Sequence, residues 1–175
     1  MFMASINWGA IEGKIMRYYN SSKFDKDHDA EISRKLAQNA ETAGELLVEC
    51  IEGEISSSGL SGGAIAAIGS VTKDGAVSAG GLGRNKKYQV GVSVDQNSRP
   101  SMYYEKYGSV IDMAMLFDWG YDASAPVYGM WHGAPAHSLV SRPPTHFFEG
   151  GVNRFNSSYG AEYNAQATIT SGRFS

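Results

Sequence analysis

The chain has 175 residues, the length of one domain, and at that size roughly 70% of the unfolded surface is buried on folding without disulfides or metal. Glycine supplies 21 of these residues and charged residues only 19%, against averages of about 7% and about 25%, which excludes a coiled coil, and the lack of a Gly-X-Y period excludes collagen. Fifteen basic and eighteen acidic residues leave a net charge of −3, and no stretch gathers five Lys and Arg, so specific nucleic-acid binding is not expected.

Trp8, Ile11, Ile15, Tyr18 and Tyr19 step by three and four residues, which predicts a short amphipathic helix behind an Asn7 cap. The polar stretch 20–29 reads as a linker, with Asp27 or Asp29 placed to cap the next helix. Residues 1–19 contain no apolar run of seven, so no signal peptide is expected, and no run of eighteen apolar residues predicts a membrane span. From 30 to 55 the apolar positions Ile32, Leu36, Ala40, Ala43, Leu47, Cys50 or Ile51, and Ile55 recur every three or four residues. This predicts a long helix whose outer face carries Glu31, Arg34, Lys35, Gln38, Glu41, Glu45, Glu49 and Glu52.

Residues 56–63 hold four serines and three glycines, a helix stop and then a loop. The apolar run 64–71 fits a strand. Residues 73–85, with four glycines between Gly75 and Gly83, read as a turn or a long hairpin arm. Tyr88, Val90, Val92 and Val94 alternate with Gln89, Gly91, Ser93 and Asp95, which predicts a half-buried strand. Residues 97–100 close it. The segment 103–131 then carries eight aromatics in 29 residues. Its centre, 110–121, fits a strand ending at Gly120, although Ile111, Met115 and Leu116 also tolerate a helix. Residues 129–140 read as a loop. A last helix is expected to start at Arg142-Pro143-Pro144 and to run to Tyr159 with Phe148, Val152, Phe155 and Tyr159 on one face, until Gly160 ends it. The tail 161–175 reads as an added strand or an arm.

Several residues invite a chemical reading. His132, His137 and His146 lie within fifteen residues, but Pro135 separates the first two, and no cysteine or acidic pair stands at ligand spacing, so no metal is expected. The single cysteine, Cys50, has no internal disulfide partner, which suits a reducing compartment. It sits on or beside the apolar stripe between Glu49 and Glu52, where a thiol acts as a small buried hydrophobe and not as a nucleophile. The run Gly80-Gly81-Leu82-Gly83 leads into a strand, unlike a phosphate cradle, which opens a helix. Asp118 and Asp122 flank a turn without a second catalytic partner. No catalytic residue and no cofactor are therefore expected.

The aromatic segment remains. Between 110 and 135 there is no Lys, Arg or Glu, the composition of a core or of a protein interface, where Tyr, Trp, Met and Arg are enriched. About half of it should be core; Tyr103, Tyr104, Tyr107, Trp119, Tyr121, Tyr128, Trp131 and Arg142 are the candidates for the interface.

The order of these parts resembles a known family. A long amphipathic helix, a glycine-rich loop, an alternating strand, Leu116-Phe117-Asp118-Trp119-Gly120-Tyr121-Asp122, the loop Trp131-His132-Gly133, and then Ser141-Arg142-Pro143-Pro144-Thr145-His146-Phe147-Phe148 are similar in order to the tail-completion, or head-to-tail joining, proteins of long-tailed double-stranded DNA phages. Phe117 to Tyr121 matches that family's aromatic-glycine turn, and Arg142 to Phe155 its Arg-Pro start of a terminal helix, over roughly residues 30–159. The resemblance implies an α+β fold in which a long helix and a C-terminal helix pack on a small, mostly antiparallel sheet beside a long glycine-rich hairpin or loop. It implies one domain over 1–175, with 1–28 as N-terminal helix and linker and 161–175 as a C-terminal arm. It further implies a non-catalytic virion protein, made in the host cytoplasm, that assembles with itself into a ring, commonly of six copies. The ring joins neck or connector proteins to the tail tube or tail terminator, and DNA passes through it. Alternatives are a tail terminator or minor capsid protein of the same region, or a small metal-dependent hydrolase using His132, His137 and an aspartate.

Overall fold

A computed structural model describes residues 8–94, 102–104, 109–111, 113–120, 127–131, 134–138 and 141–169. Helices are combined with small antiparallel sheets, an α+β arrangement. The described residues form two compact units. One takes those up to Ala40 together with Ala76–Gln89; the other takes Glu41–Gly75 and those from Val90 onward.

In the first unit the predicted amphipathic helix is α1, Trp8–Tyr19. The expected linker is instead largely helical: α2, Ser22–Asp27, starts where the Ser21 hydroxyl accepts a hydrogen bond from the Phe24 N–H at 3.3 Å. Ser21 is a good N-cap and Phe24 offers an aromatic face to Tyr18 and Tyr19, two local signals that outweigh the polar composition. The long helix α3, Asp29–Ser57, begins in this unit and contributes its remaining residues to the other. Strands β2, Val77–Gly80, and β3, Lys87–Gln89, pair antiparallel and are joined through a 3-10 turn at Gly83–Asn85.

The second unit holds the core. Ile51 and Ile55 of α3 meet Leu60, Ala64, Ile68, Val71, Val94, Ala114, Leu116, Phe117 and Phe147 in one buried cluster. A satellite cluster joins Ala43 and Cys50 to Phe155. The run expected as a strand at 64–71 is helix α4, Gly62–Ile68, capped by the Ser61 hydroxyl, which accepts from Ala64 N–H at 3.3 Å, and ended by Gly69 at φ +83°. Only Val71 and the two residues after it are extended, as β1, Val71–Lys73. An eight-residue apolar run fits either a buried helix or a strand, and the Ser cap decides for the helix.

The alternating stretch 88–94 keeps its period in burial, with Val94 buried and Gln89, Gly91 and Ser93 exposed. It is divided, however, into β3 and β4, Val92–Val94, and β4 pairs with β1 through Val71↔Val94. The centre of the aromatic segment is also corrected. Strand β6 covers only Ser109–Ile111, and Met113–Trp119 is helix α5, with Ala114, Leu116 and Phe117 buried. Residues three apart, Ala114 and Phe117, share the buried side, and Gly120 at φ +72° stops the helix as a left-handed C-terminal glycine does.

Residues 129–140, expected as a loop, contribute to two strands, β7, Val127–Trp131, and β8, Ala134–Ser138. With β5, Met102–Tyr104, and β6 they form a four-stranded antiparallel sheet in the order β6-β5-β7-β8. The last helix, α6, Phe147–Ser158, starts five residues after Arg142, and a short helix α7, Gly160–Tyr163, succeeds it where a stop was expected. The described tail is not a free arm. Asn156 holds it like a strand partner, its Nδ2 donating to Ala167 O at 3.0 Å and its Oδ1 accepting from Ala167 N–H at 2.8 Å. Tyr163, Ala165 and Ala167 thereby pack on the Phe155 cluster.

Close backbone approach explains one glycine of α6. A Cβ at Gly151 would lie 2.8 Å from Ile51 Cα and 2.5 Å from Ile51 Cγ1, so α3 and α6 pack at a distance that only glycine permits.

Candidate assembly interface

The two sequence motifs meet in one joint. Helix α5 ends at Trp119, and residues 142–145 run back over that end as an extended strap. The Thr145 N–H donates to Phe117 O at 3.3 Å and to Asp118 O at 3.2 Å, the His146 N–H to Asp118 O at 3.0 Å, and the Thr145 hydroxyl to Phe117 O at 2.9 Å. These bonds satisfy carbonyls that a helix end leaves without an internal partner. Gly120 makes the crossing possible, since a Cβ there would stand 2.6 Å from Pro144 N and 2.7 Å from Arg142 O.

Asp118 ties the joint together. Its side chain is buried, and Oδ1 accepts the Phe148 N–H of α6 at 3.0 Å. His146, which precedes α6, is left-handed at φ 52° and makes no side-chain cap. The capping group thus comes from a segment thirty residues away, and the positive end of the helix supports the carboxylate. Burial pushes the Asp118 carboxyl above its ordinary value, partly offset by the Phe148 N–H and by His146.

The eight candidate interface residues fall in three places. Arg142 belongs to the joint, its guanidinium 5.4 Å from the Phe117 ring centroid, and Trp119 ends α5 half-buried. Tyr103 and Tyr104 lie on β5 and Tyr128 and Trp131 on β7, the two central strands of the sheet, with Tyr103 and Tyr128 as register partners. Tyr107 and Tyr121 lie outside the described residues.

A different surface escaped the sequence reading. From Glu12 onward, every buried apolar side chain among the described residues belongs to the second unit, whereas the first displays Ile15 (60% exposed), Met16, Tyr18, Tyr19, Val77 and Leu82 (81% exposed). Ions and rings hold that unit together instead. Arg84 pairs with Asp25 at 2.7 Å and stacks near Tyr19 and Phe24, and Lys86 pairs with Asp29 at 2.7 Å. Lys86 holds the Asp29 carboxyl below its usual range. The available signal was Leu82 inside a glycine turn, an apolar residue where a solvated loop needs none.

The other chemical candidates are dispersed. Cys50 is buried, and burial raises its thiol above the ordinary value, the opposite of an activated thiolate. His137 lies on β8, His146 is in the joint, and His132 and Asp122 fall outside the described residues. No group of three His, Cys, Asp or Glu stands at metal-binding distance among the described residues. Among them, too, no helix is long and apolar enough to cross a membrane. The glycine run forms the connection between β2 and β3, with Gly80, Gly81 and Gly83 at positive φ. No family model, curated protein or solved structure matches the chain.

Proposed function

We propose that the chain is a non-catalytic structural protein of the phage virion, assembling with itself into a ring at the neck that joins the head connector to the tail. One observation carries the self-assembly: the first unit exposes Ile15, Met16, Val77 and Leu82, and no apolar side chain from Glu12 to Ala40 or in Ala76–Gln89 is buried. Exposed apolar surface on a unit without its own core is the mark of a surface completed by another chain. A ring needs two different patches per copy, one for each neighbour. The neck assignment rests on the family resemblance, and the joint supports it, because the two motifs that carry the resemblance form one structural element around Asp118 and Gly120.

The net charge of −3 suits a passage through which DNA slides without being held. Particles assembled without the protein test this function. DNA-filled heads beside free tails are the expected result, and complete particles in its absence would refute it.

A further inference from the structure

Charge is divided unequally between the two units. The first, residues up to Ala40 with Ala76–Gln89, has nine Lys and Arg against five Asp and Glu; the second has six against thirteen. A surplus of four positive charges in one unit and of seven negative charges in the other thus lies behind the net −3. In the first unit the carboxylates of Asp25, Asp29 and Glu31 are taken up by Arg84, Lys86 and Lys35. Lys14, Arg17, Lys23, Lys26 and Lys87 are exposed and have no ion pair among the described residues. Lys14 and Arg17 bracket the exposed Ile15 and Met16 on α1, so that helix presents an apolar patch with a cationic border.

The acidic counterpart is the later part of α3. From Leu36 to Thr72 the chain contains no Lys or Arg, and α3 carries five glutamates after Ala40. Glu41 and Glu45 share Lys73, and Glu54 faces Arg154 at 3.7 Å. Glu49 and Glu52 are exposed and have no ion pair among the described residues. With Glu45 they stand at intervals of four and three residues, on one face of the helix, where like charges repel. The last turn of α3 has no basic residue to balance the negative end of the helix. Within α3 this arrangement is destabilising, and a cationic surface brought against it would offset that cost. Val48, three residues after Glu45 and four before Glu52, neighbours both on the helix surface and is only half-buried, which offers an apolar contact beside the carboxylates.

A nucleic acid or an anionic lipid surface would answer the cations of α1 and leave Glu49 and Glu52 unanswered. A second copy of the chain answers both. We infer that the α1 face of one copy, formed by Lys14, Ile15, Met16 and Arg17, docks on the Glu45-Glu49-Glu52 face of α3 in the next. This rests on the ring reading above and names the two patches that close the ring. Because the patches differ, the contact is heterologous, as a closed ring requires, and their opposite charges fix its polarity and disfavour the pairing of like faces.

Charge reversal in trans tests the inference with the full chain. One variant carries Lys14→Glu and Arg17→Glu, a second Glu49→Lys and Glu52→Lys, and a third all four changes. Native mass spectrometry reads the assembly state of each, of the first two in equimolar mixture, and of the third mixed with isotope-labelled wild type. Each two-site variant alone is expected to associate at least tenfold more weakly than wild type, and their mixture to regain assemblies containing both chains in equal numbers. The four-site chain is expected to assemble with itself and not with wild type. Wild-type assembly that neither reversal weakens, or a mixture and a four-site chain that both stay unassembled, would overturn the inference and leave the ring reading intact; a wild type that stays monomeric overturns both. Loss of binding to anionic vesicles or duplex DNA in the first variant, with its assembly unchanged, would also overturn the inference and give the cations to lipid or nucleic acid. Should a two-site variant lose its far-UV helical signal, the single changes Lys14→Glu and Glu49→Lys carry the same test with the same outcomes.

Discussion

Asp118 gives the sharpest test of the joint, because one side-chain oxygen links α5 to α6. Truncation to Asp118→Ala removes the acceptor for the Phe148 N–H and leaves that donor at a helix start whose own preceding residue, His146, provides no cap. Loss of an N-cap costs about 1 kcal/mol and loss of a buried hydrogen bond to a charged group about 1.5–3 kcal/mol. The two describe the same contact and are not summed, so about 2 kcal/mol is the expected loss. For a chain of this length that lowers Tm by roughly 4–8 °C. Asp118→Asn keeps an oxygen at the Oδ1 position and should lose less than about 1 kcal/mol. Urea unfolding monitored by tryptophan fluorescence measures both variants, with Trp119 adjacent to the change. An Asp118→Ala stability within about 0.5 kcal/mol of wild type, the range of ordinary surface changes, would refute the capping role.

The same carboxyl predicts a pH dependence. Burial raises its value in the folded chain, so the folded state holds the proton more tightly, and stability falls as pH rises from the ordinary carboxylate range through the raised value. Asp118→Asn has no such titration, so its stability relative to wild type should improve across that window; a difference constant with pH would contradict the assignment. Gly120→Ala combines a left-handed φ with contact to the Pro144 and Arg142 backbone and should cost about 2–4 kcal/mol by thermal unfolding. Asn156→Ala releases both hydrogen bonds to Ala167 and should cost about 1–2 kcal/mol, with faster amide exchange at residues 164–169 as the specific sign. Unchanged exchange there would show that the Tyr163, Ala165 and Ala167 contacts hold the tail alone.

How far the sequence could be read depends on the range of the determining contacts. The three-and-four spacing in residues 8–19 and 30–55 is local, and it is realised in α1 and α3. The alternation at 88–94 is local too and persists in burial, yet nothing in it shows that Gln89 pairs with β2 while Val92 pairs with β1. Helices α4 and α5 arise from apolar runs short enough to suit either state, and their decisive signals, Ser61 and Gly120, act only at the ends. Strands β7 and β8 have no clear period of their own, because Gly129 and Pro135 interrupt it, and they are defined by pairing with each other and with β5.

The candidate site divides along the same line. Arg142 and Phe117 stood out by type, but Asp118 is a cap only because α6 begins beside it, thirty residues later in the chain. The partners of Arg84 were equally hidden. Asp25 and Phe24 lie in a polar stretch that reads as linker, and they acquire meaning only when residues 83–86 return to them.

The central claim is that this chain is completed by copies of itself. Native mass spectrometry of the purified wild-type protein over a range of concentrations tests it most directly. A single closed oligomer of fixed copy number, persisting on dilution to micromolar concentration and seen as a ring in negative stain, is the predicted result; a protein that remains monomeric at high concentration would contradict it.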